Sequence, residues 1–276
     1  MPKNAELDAA YAAYYGAAGA KFHAPFELAM RLATAGAARR LAQRLPPGAP
    51  TVFDVGCGRG LFLAALLAEG VEVWGFERSR EATFGCDPRI HLHVGARVDD
   101  VTAPSGGFGA ISIRHVLEHL KDPVDALRQM RTLLHPDGWL LVDVPAFDSL
   151  QAAFGGSAWF HLDPPRHLFH FTEVGLRSAL VRCGYDVVES HRFSLAQDPM
   201  GWLQTTLHKL GRPRDAFFDL LRRGKDRRPG AWFDAALATP MIPLALAASV
   251  VEAALGRGGS LTLWGRPASA GPRVPG

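Results

Sequence analysis

Gly56, Gly58 and Gly60 alternate along the run TVFDVGCGRG at 51–60, and Glu77 closes the next apolar stretch. Glycines at this spacing let a chain turn tightly against a ligand. An acid at the end of the following strand can accept hydrogen bonds from both hydroxyls of a ribose. The pair is therefore suited to holding a nucleoside. Histidines form a second group: His115, Glu118 and His119 are spaced H-x-x-E-H, and His167 and His170 fall in DPPRHLFHFT at 163–172. Imidazole titrates near pH 6.5 when unperturbed, which suits removal of a proton from an acceptor hydroxyl near neutrality. His167 and His170 are the candidate bases. Arg166 joins them either along an acceptor pocket or in fixing the loop.

These side chains need a scaffold that brings them together. Val52, Phe53 and Val55 read as a buried strand, 61–68 as an apolar helix closed by Gly70, and 71–76 as a second strand. Further strands are expected at 90–94, 110–114 and 139–144, with Pro136-Asp137-Gly138 breaking the helix before the last of these. Alternation of this kind predicts a mostly parallel sheet with helices on both faces. Thr172 caps a helix running through Cys183, Gly184 ends it, and 185–194 is β-rich. A last short strand is expected at 260–264. Residues 1–48 read as a helical leader with apolar positions at Phe26, Leu28, Met30, Leu32 and Leu41 and a stop at Pro46-Pro47-Gly48.

The chain has 276 residues, 48% hydrophobic and 21% charged, enough for one large α/β domain with an elaboration. A net charge of +3 gives no case for a nucleic-acid partner. Cys57, Cys86 and Cys183 have neither metal nor disulfide spacing, and the amino terminus has no signal-peptide character; a cytoplasmic setting is expected. Residues 267–276 are expected to form a disordered tail.

Four blocks in order, GCGRG, IRHVLEHLKDP at 113–123, LLHPDGWLLVDVP at 133–145 and DPPRHLFHFT, resemble the class I S-adenosylmethionine-dependent methyltransferases. The likeness is nearest to a bacterial group with an LEH motif, and more distantly to quinone-biosynthesis O-methyltransferases. It spans roughly 11–205 and returns at 260–266. It implies a Rossmann-like seven-stranded sheet whose last strand is antiparallel, with a core at 49–195 and 259–266, and S-adenosylmethionine as cofactor. By resemblance, Asp54, Gly56, Gly58 and Gly60 lie along the methionine end, Glu77 binds ribose, Asp99 or Asp100 reaches the adenine amine, and Arg114 and His115 flank the cofactor. The leader would roof the cleft, placing Tyr14, Tyr15 and Phe22 near cofactor or substrate, or else packing them on the core. A related group of quinone-ring enzymes holds a divalent ion in a comparable cluster. For Glu118 and His119, however, helix capping and packing is the reading adopted, and no metal is assigned. Two positions depart from the family pattern: Phe108-Gly109 replaces Phe-Asp, and Gly95-Ala96 replaces Gly-Asp.

Residues 196–258 form an expected helical insertion before the last strand. Its first half carries Arg222, Arg223, Lys225, Arg227 and Arg228, and 235–251 has no charge. A single membrane crossing would strand 260–264 away from its sheet. The segment is therefore read as a protein cap, with a membrane-interfacial contact through 222–251 as the alternative. The resulting expectation is methyl transfer to a small-molecule or lipid-linked acceptor, in the cytoplasm and up to the inner face of the membrane. The rival readings are a nicotinamide dehydrogenase sharing the glycine turn and a non-catalytic adaptor acting through the insertion. Oligomeric state is not legible.

Overall fold

A computed structural model describes residue 6 and residues 24–95, 97–221 and 230–269. Tyr14, Tyr15 and Phe22, the basic side chains at 222–228, Ala96, the Asp99 side chain and the tail from 270 lie outside the described residues. Seven strands form one sheet: β1 Thr51–Val55, β2 Glu72–Glu77, β3 His91–Val94, β4 Phe108–Arg114, β5 Leu134–Pro145, β6 Tyr185–His191 and β7 Ser260–Pro267. Their order is β3-β2-β1-β4-β5-β7-β6. The first five are parallel, and β7 runs antiparallel between β5 and β6. The expected class and topology hold.

Side chains alternate across the sheet. Phe53 and Val55 of β1 join Ile111, Ile113, Leu140 and Val142 in a core covered by helices α3 (Pro123–Leu133) and α5 (Glu173–Arg182). Val52, Val73 and Leu141 face the other side, under α1 (Ala24–Ala42) and α2 (Leu61–Ala68). Of the leader's apolar positions, Leu41 is buried, whereas Leu28 and Leu32 are exposed. The α1 seam is made by Ala38 and Leu41, with Ala37 and Ala42 beside them, so the carboxyl-terminal half of the helix packs on the body.

Three boundaries move. The LEH block does not open a helix; Leu117–His119 is a single 3-10 turn, and α3 starts at Pro123, capped by Asp122, whose side chain accepts from the Asp125 amide at 2.8 Å. The cap of that helix is therefore Asp122, and Glu118 and His119 lie in the turn before it. Strand β5 begins before the Pro136-Asp137-Gly138 break: Phe108 pairs with Leu134 and pairing resumes at Ala110 with Trp139, so 135–138 bulge out of the ladder. A short helix, α4 (Leu150–Gly155), follows β5 where none was expected.

Gly109 explains one family departure. A Cβ there would collide with the carbonyl oxygen of Ala49, while the Gly109 amide donates to Thr51 Oγ1 at 3.1 Å. Backbone occupies the space an acid would fill.

Between β6 and β7 lie α6 (Asp198–Lys209), α7 (Ala216–Leu221) and α8 (Ala231–Ala254). They share a small core of Leu203, Leu207, Ala216, Ala238 and Ala245. Buried polar contacts fasten them to the body: Ser260 Oγ donates to Asp198 at 2.5 Å, and Phe160 N donates to Thr205 Oγ1 at 3.1 Å.

Candidate active site

The glycine turn sits at the carboxyl end of β1. The amides of Gly56 and Cys57 both donate to the Phe76 carbonyl, at 2.8 and 3.1 Å, which folds the turn across the end of β2. All three glycines have positive φ, 75°, 52° and 69°. Their surroundings differ. A Cβ on Gly56 would strike Val116 and one on Gly60 would strike Ile90, whereas Gly58 has no heavy atom of the described residues within 4 Å of that position. Among the described residues, Gly58 is thus the glycine of the turn with open space on its Cβ side.

Glu77 is fixed beside that opening. Its Oε2 accepts the Gly58 amide at 3.0 Å and its Oε1 accepts the Arg78 amide at 2.7 Å. A carboxylate offers about four lone-pair directions, so acceptor capacity is left for a diol. Asp100 lies on the same rim: it is exposed, its Oδ2 is 3.7 Å from the ideal Gly95 Cβ, and the Gly95 amide donates to the Glu77 carbonyl at 3.1 Å. Arg59, in the turn, pairs with Glu27 of α1 at 2.8 Å and ties that helix to the opening.

Asp54 is buried in β1 and accepts from Ser112 Oγ at 2.5 Å. Burial, with Glu77 adding, pushes its carboxyl up to about 6 against the opposing Ser112 bond and Arg114 charge. Arg114 donates through Nε to Asp143 Oδ2 at 3.2 Å and covers the Phe62 ring at 4.5 Å. Asp143 also accepts from Thr262 Oγ1 of β7, and its carbonyl takes the His115 amide at 2.8 Å. Burial acts to raise Asp143, but Arg114, His115 and Thr262 prevail and hold its carboxyl below the usual range. His115 bends away from β4 with φ 54°. Burial lowers its pKa, Asp143 opposes, and Arg114 adds to the lowering. Sequence reasoning missed Asp143; its place at the end of an apolar strand, as in the Asp54 strand, was the available clue.

The second group collects at the ends of β4 and β5. Glu118 is buried, and among the described residues neither of its carboxylate oxygens has a hydrogen-bond partner. His115 Nδ1 lies 3.8 Å and His167 Nε2 4.0 Å from Glu118 Oε1. His167 Nδ1 contacts the His161 carbonyl at 2.7 Å and His119 Nδ1 the Arg166 carbonyl at 3.0 Å, so each Nδ1 is the donor and each Nε2 the lone-pair nitrogen. The two rings meet edge to face at 4.6 Å. One ligand atom each from Glu118, His119 and His167 lies within 4.8 Å of the others, an arrangement that could hold a cation or share a proton. Burial raises Glu118 to about 8 and lowers His119 to about 4 and His167 to about 2. The proton of this group thus rests on Glu118 near neutrality. His167 is neutral there and a weak base, because its imidazolium is buried and surrounded by other histidines.

His170 is more open. Its Nε2 contacts the Leu162 carbonyl at 3.1 Å, and its ring packs against Phe147 at 5.5 Å and Trp159 at 6.2 Å. Asp163, also unassigned by sequence reasoning, pairs with Arg166 at 2.7 Å and lies 3.7 Å from His167 Nε2. The structure therefore divides the candidates in two: Asp54, Gly56, Gly58, Gly60, Glu77 and Asp100 around the glycine turn, and His167 and His170 beyond the end of β5. Arg114 and His115 stand between them.

A model of the methyltransferase domain family matches residues 27–190, more than half of the chain. The chain belongs to that family. This makes it a class I methyltransferase with S-adenosylmethionine as cofactor, and the glycine turn that a dehydrogenase would share is accounted for. Among curated relatives, the ubiquinone biosynthesis O-methyltransferase of Xanthomonas axonopodis pv. citri is 32% identical over 111 residues, 37% of this methyltransferase and 46% of the relative. The enzyme of the same name from Thiobacillus denitrificans is 29% identical over 106 residues, 35% and 45%. The matches span about half the length of these relatives. Among solved structures, a SAM-dependent methyltransferase from Archaeoglobus fulgidus superposes with a TM-score of 0.54 at 17% identity, covering 85% of this chain and 93% of that one. One from Mesorhizobium loti gives 0.51 at 17%, covering 85% and 97%. These likenesses carry the fold.

Proposed function

We propose that this methyltransferase moves the methyl group of S-adenosylmethionine to a hydroxyl oxygen of a small-molecule or lipid-linked acceptor by in-line displacement. The methyl carbon leaves sulfur as the oxygen–carbon bond forms, the hydroxyl proton is released, and S-adenosylhomocysteine departs. The sulfonium already activates the methyl group, so the protein's task is chiefly to align two reactants, worth about 7–11 kcal/mol when complete.

The observation that carries this reading is the open approach at Gly58 beside the buried Glu77 carboxylate, on the same sheet edge as the histidine group. Glu77 would accept the ribose hydroxyls, Asp100 would face the adenine amine, and the turn at Gly56, Gly58 and Gly60 would follow the ligand. Asp54, Arg114 and His115 would border the methionine end. His170, exposed beside Phe147 and Trp159, would face the acceptor and take its proton on Nδ1, the ring nitrogen that does not contact the Leu162 carbonyl; His167, neutral beside the protonated Glu118, would line the pocket as the second candidate base. The relatives named as O-methyltransferases support oxygen as the acceptor atom. The lipid-linked form, at the inner face of a membrane, is favoured because α8, whose outward face is apolar, is bound through Glu252 to Gln151 of α4, and α6 through Thr205 to Phe160, next to the segment carrying His161, His167 and His170.

The test is transfer of labelled methyl to a phenolic acceptor with and without a polyprenyl chain. The reading expects S-adenosylhomocysteine and an O-methyl ether in equal amounts, with preference for the prenylated phenol. Methylation confined to amines or carbon acids would overturn it.

A further inference from the structure

Helix α8 has its polarity inverted. Its charged residues are Asp234 and Glu252, and both are fully buried, as is Ser249. Asp234 pairs with Arg212, and Glu252 accepts from Gln151 Nε2 at 2.9 Å and from the Gly259 amide at 3.0 Å. Its outward face is apolar: Trp232 is 75% exposed and Leu244 70%, with Phe233, Ile242, Val250 and Val251 also exposed. An ordinary surface helix does the reverse. Two carboxylates anchored at opposite ends set the helix's rotation, so the apolar face is held outward along about 36 Å.

We propose that this face docks on an anionic membrane leaflet, with the helix lying in the interface; the proposal rests on the lipid-linked acceptor reading above. Three features select this occupant. The segment joining α7 to α8 carries five basic side chains and one acid, complementary to anionic headgroups, while the docking face itself has no charge. Trp232, next to that segment, is an amphipathic ring of the kind that settles at headgroup depth. Pro240 and Pro243 leave the carbonyls of Ala236 and Thr239 without their helical donors, which suits a hydrated interface better than hydrocarbon. The helix is long and apolar enough to cross a bilayer by length and composition, with mean hydropathy 1.6 over an 18-residue window. Its anchored carboxylates and the entry of β7 into the sheet after five intervening residues hold it on the protein instead.

The test is co-sedimentation of the full chain with phosphatidylcholine vesicles, with and without phosphatidylglycerol. It is run on the wild type, on the double variant L244E/V251E and on the quadruple variant R222Q/R223Q/R227Q/R228Q. Wild type should partition to the anionic vesicles and lose roughly tenfold or more in either variant, with high salt weakening the remainder. Absence of binding to anionic vesicles, or binding unchanged in L244E/V251E, would overturn the proposal. So would a dimer seen by light scattering that L244E/V251E dissociates without any vesicle binding, which would give the face to a second copy. Cofactor titration and methyl transfer to a soluble phenol are run on the same samples. Their loss in the wild type would count against the proposed function, whereas their retention with no vesicle binding would count against docking alone.

Discussion

His167 turns its Nε2 toward Glu118 Oε1, 4.0 Å away, with its Nδ1 already committed to the His161 carbonyl. A neutral imidazole thus faces a carboxyl group that burial raises to about 8. The folded-state pKa of Glu118 lies above its unfolded value near 4.3, so folding binds the proton more tightly. The stability this contributes is present below the unfolded value and is lost as pH rises toward 8. Glu118→Gln removes that loss. Urea unfolding at pH 5.5 and 8.5 should show the variant gaining on wild type by about 1–3 kcal/mol at the higher pH. A gap that does not change with pH would mean that Glu118 ionises freely.

The glycines of the turn should separate by mutation. Gly58→Ala meets only the cost of a positive φ, about 1–2 kcal/mol, because its side is open. It should keep a cooperative thermal transition and lose cofactor affinity at least tenfold. Gly56→Ala drives a methyl group into Val116 and should lose several degrees more of Tm than Gly58→Ala. Equal effects of the two on Tm would contradict the open approach at Gly58.

His170→Phe keeps a ring against Phe147 and Trp159 and removes both nitrogens. If His170 faces the acceptor hydroxyl, kcat should fall about 10²–10⁴-fold, with the dissociation constant for S-adenosylhomocysteine unchanged. A loss of cofactor affinity of similar size would place the histidine in the cofactor half of the site.

The parts legible in sequence were those decided locally. The glycine turn, the Thr172 cap, whose hydroxyl accepts the Gly175 amide at 3.1 Å, and the strand-and-helix alternation all depend on neighbours a few residues apart. What escaped depends on distant partners. Asp143 acquires its place from Arg114 and from Thr262 in a strand that returns after the insertion. Glu118 read as a cap because its motif stands before a helix, yet a 3-10 turn sets it among histidines from the loop beyond β5. The 235–251 run showed its apolar character plainly. Its facing did not, since that is set by Asp234 and Glu252 just outside the uncharged stretch and by Arg212, Gln151 and Gly259 elsewhere.

The central claim is that the Gly58 opening beside Glu77 holds the adenosyl cofactor. Calorimetric titration of the protein with S-adenosylmethionine, S-adenosylhomocysteine and NAD, with Glu77→Ala alongside, tests it directly. Both adenosyl compounds should bind and NAD should not. Glu77→Ala should weaken them by on the order of a hundredfold, the loss of two charge-assisted hydrogen bonds of about 1.5 kcal/mol each. Unchanged affinity in Glu77→Ala would remove Glu77 from the ribose, and binding of NAD alone would contradict the account.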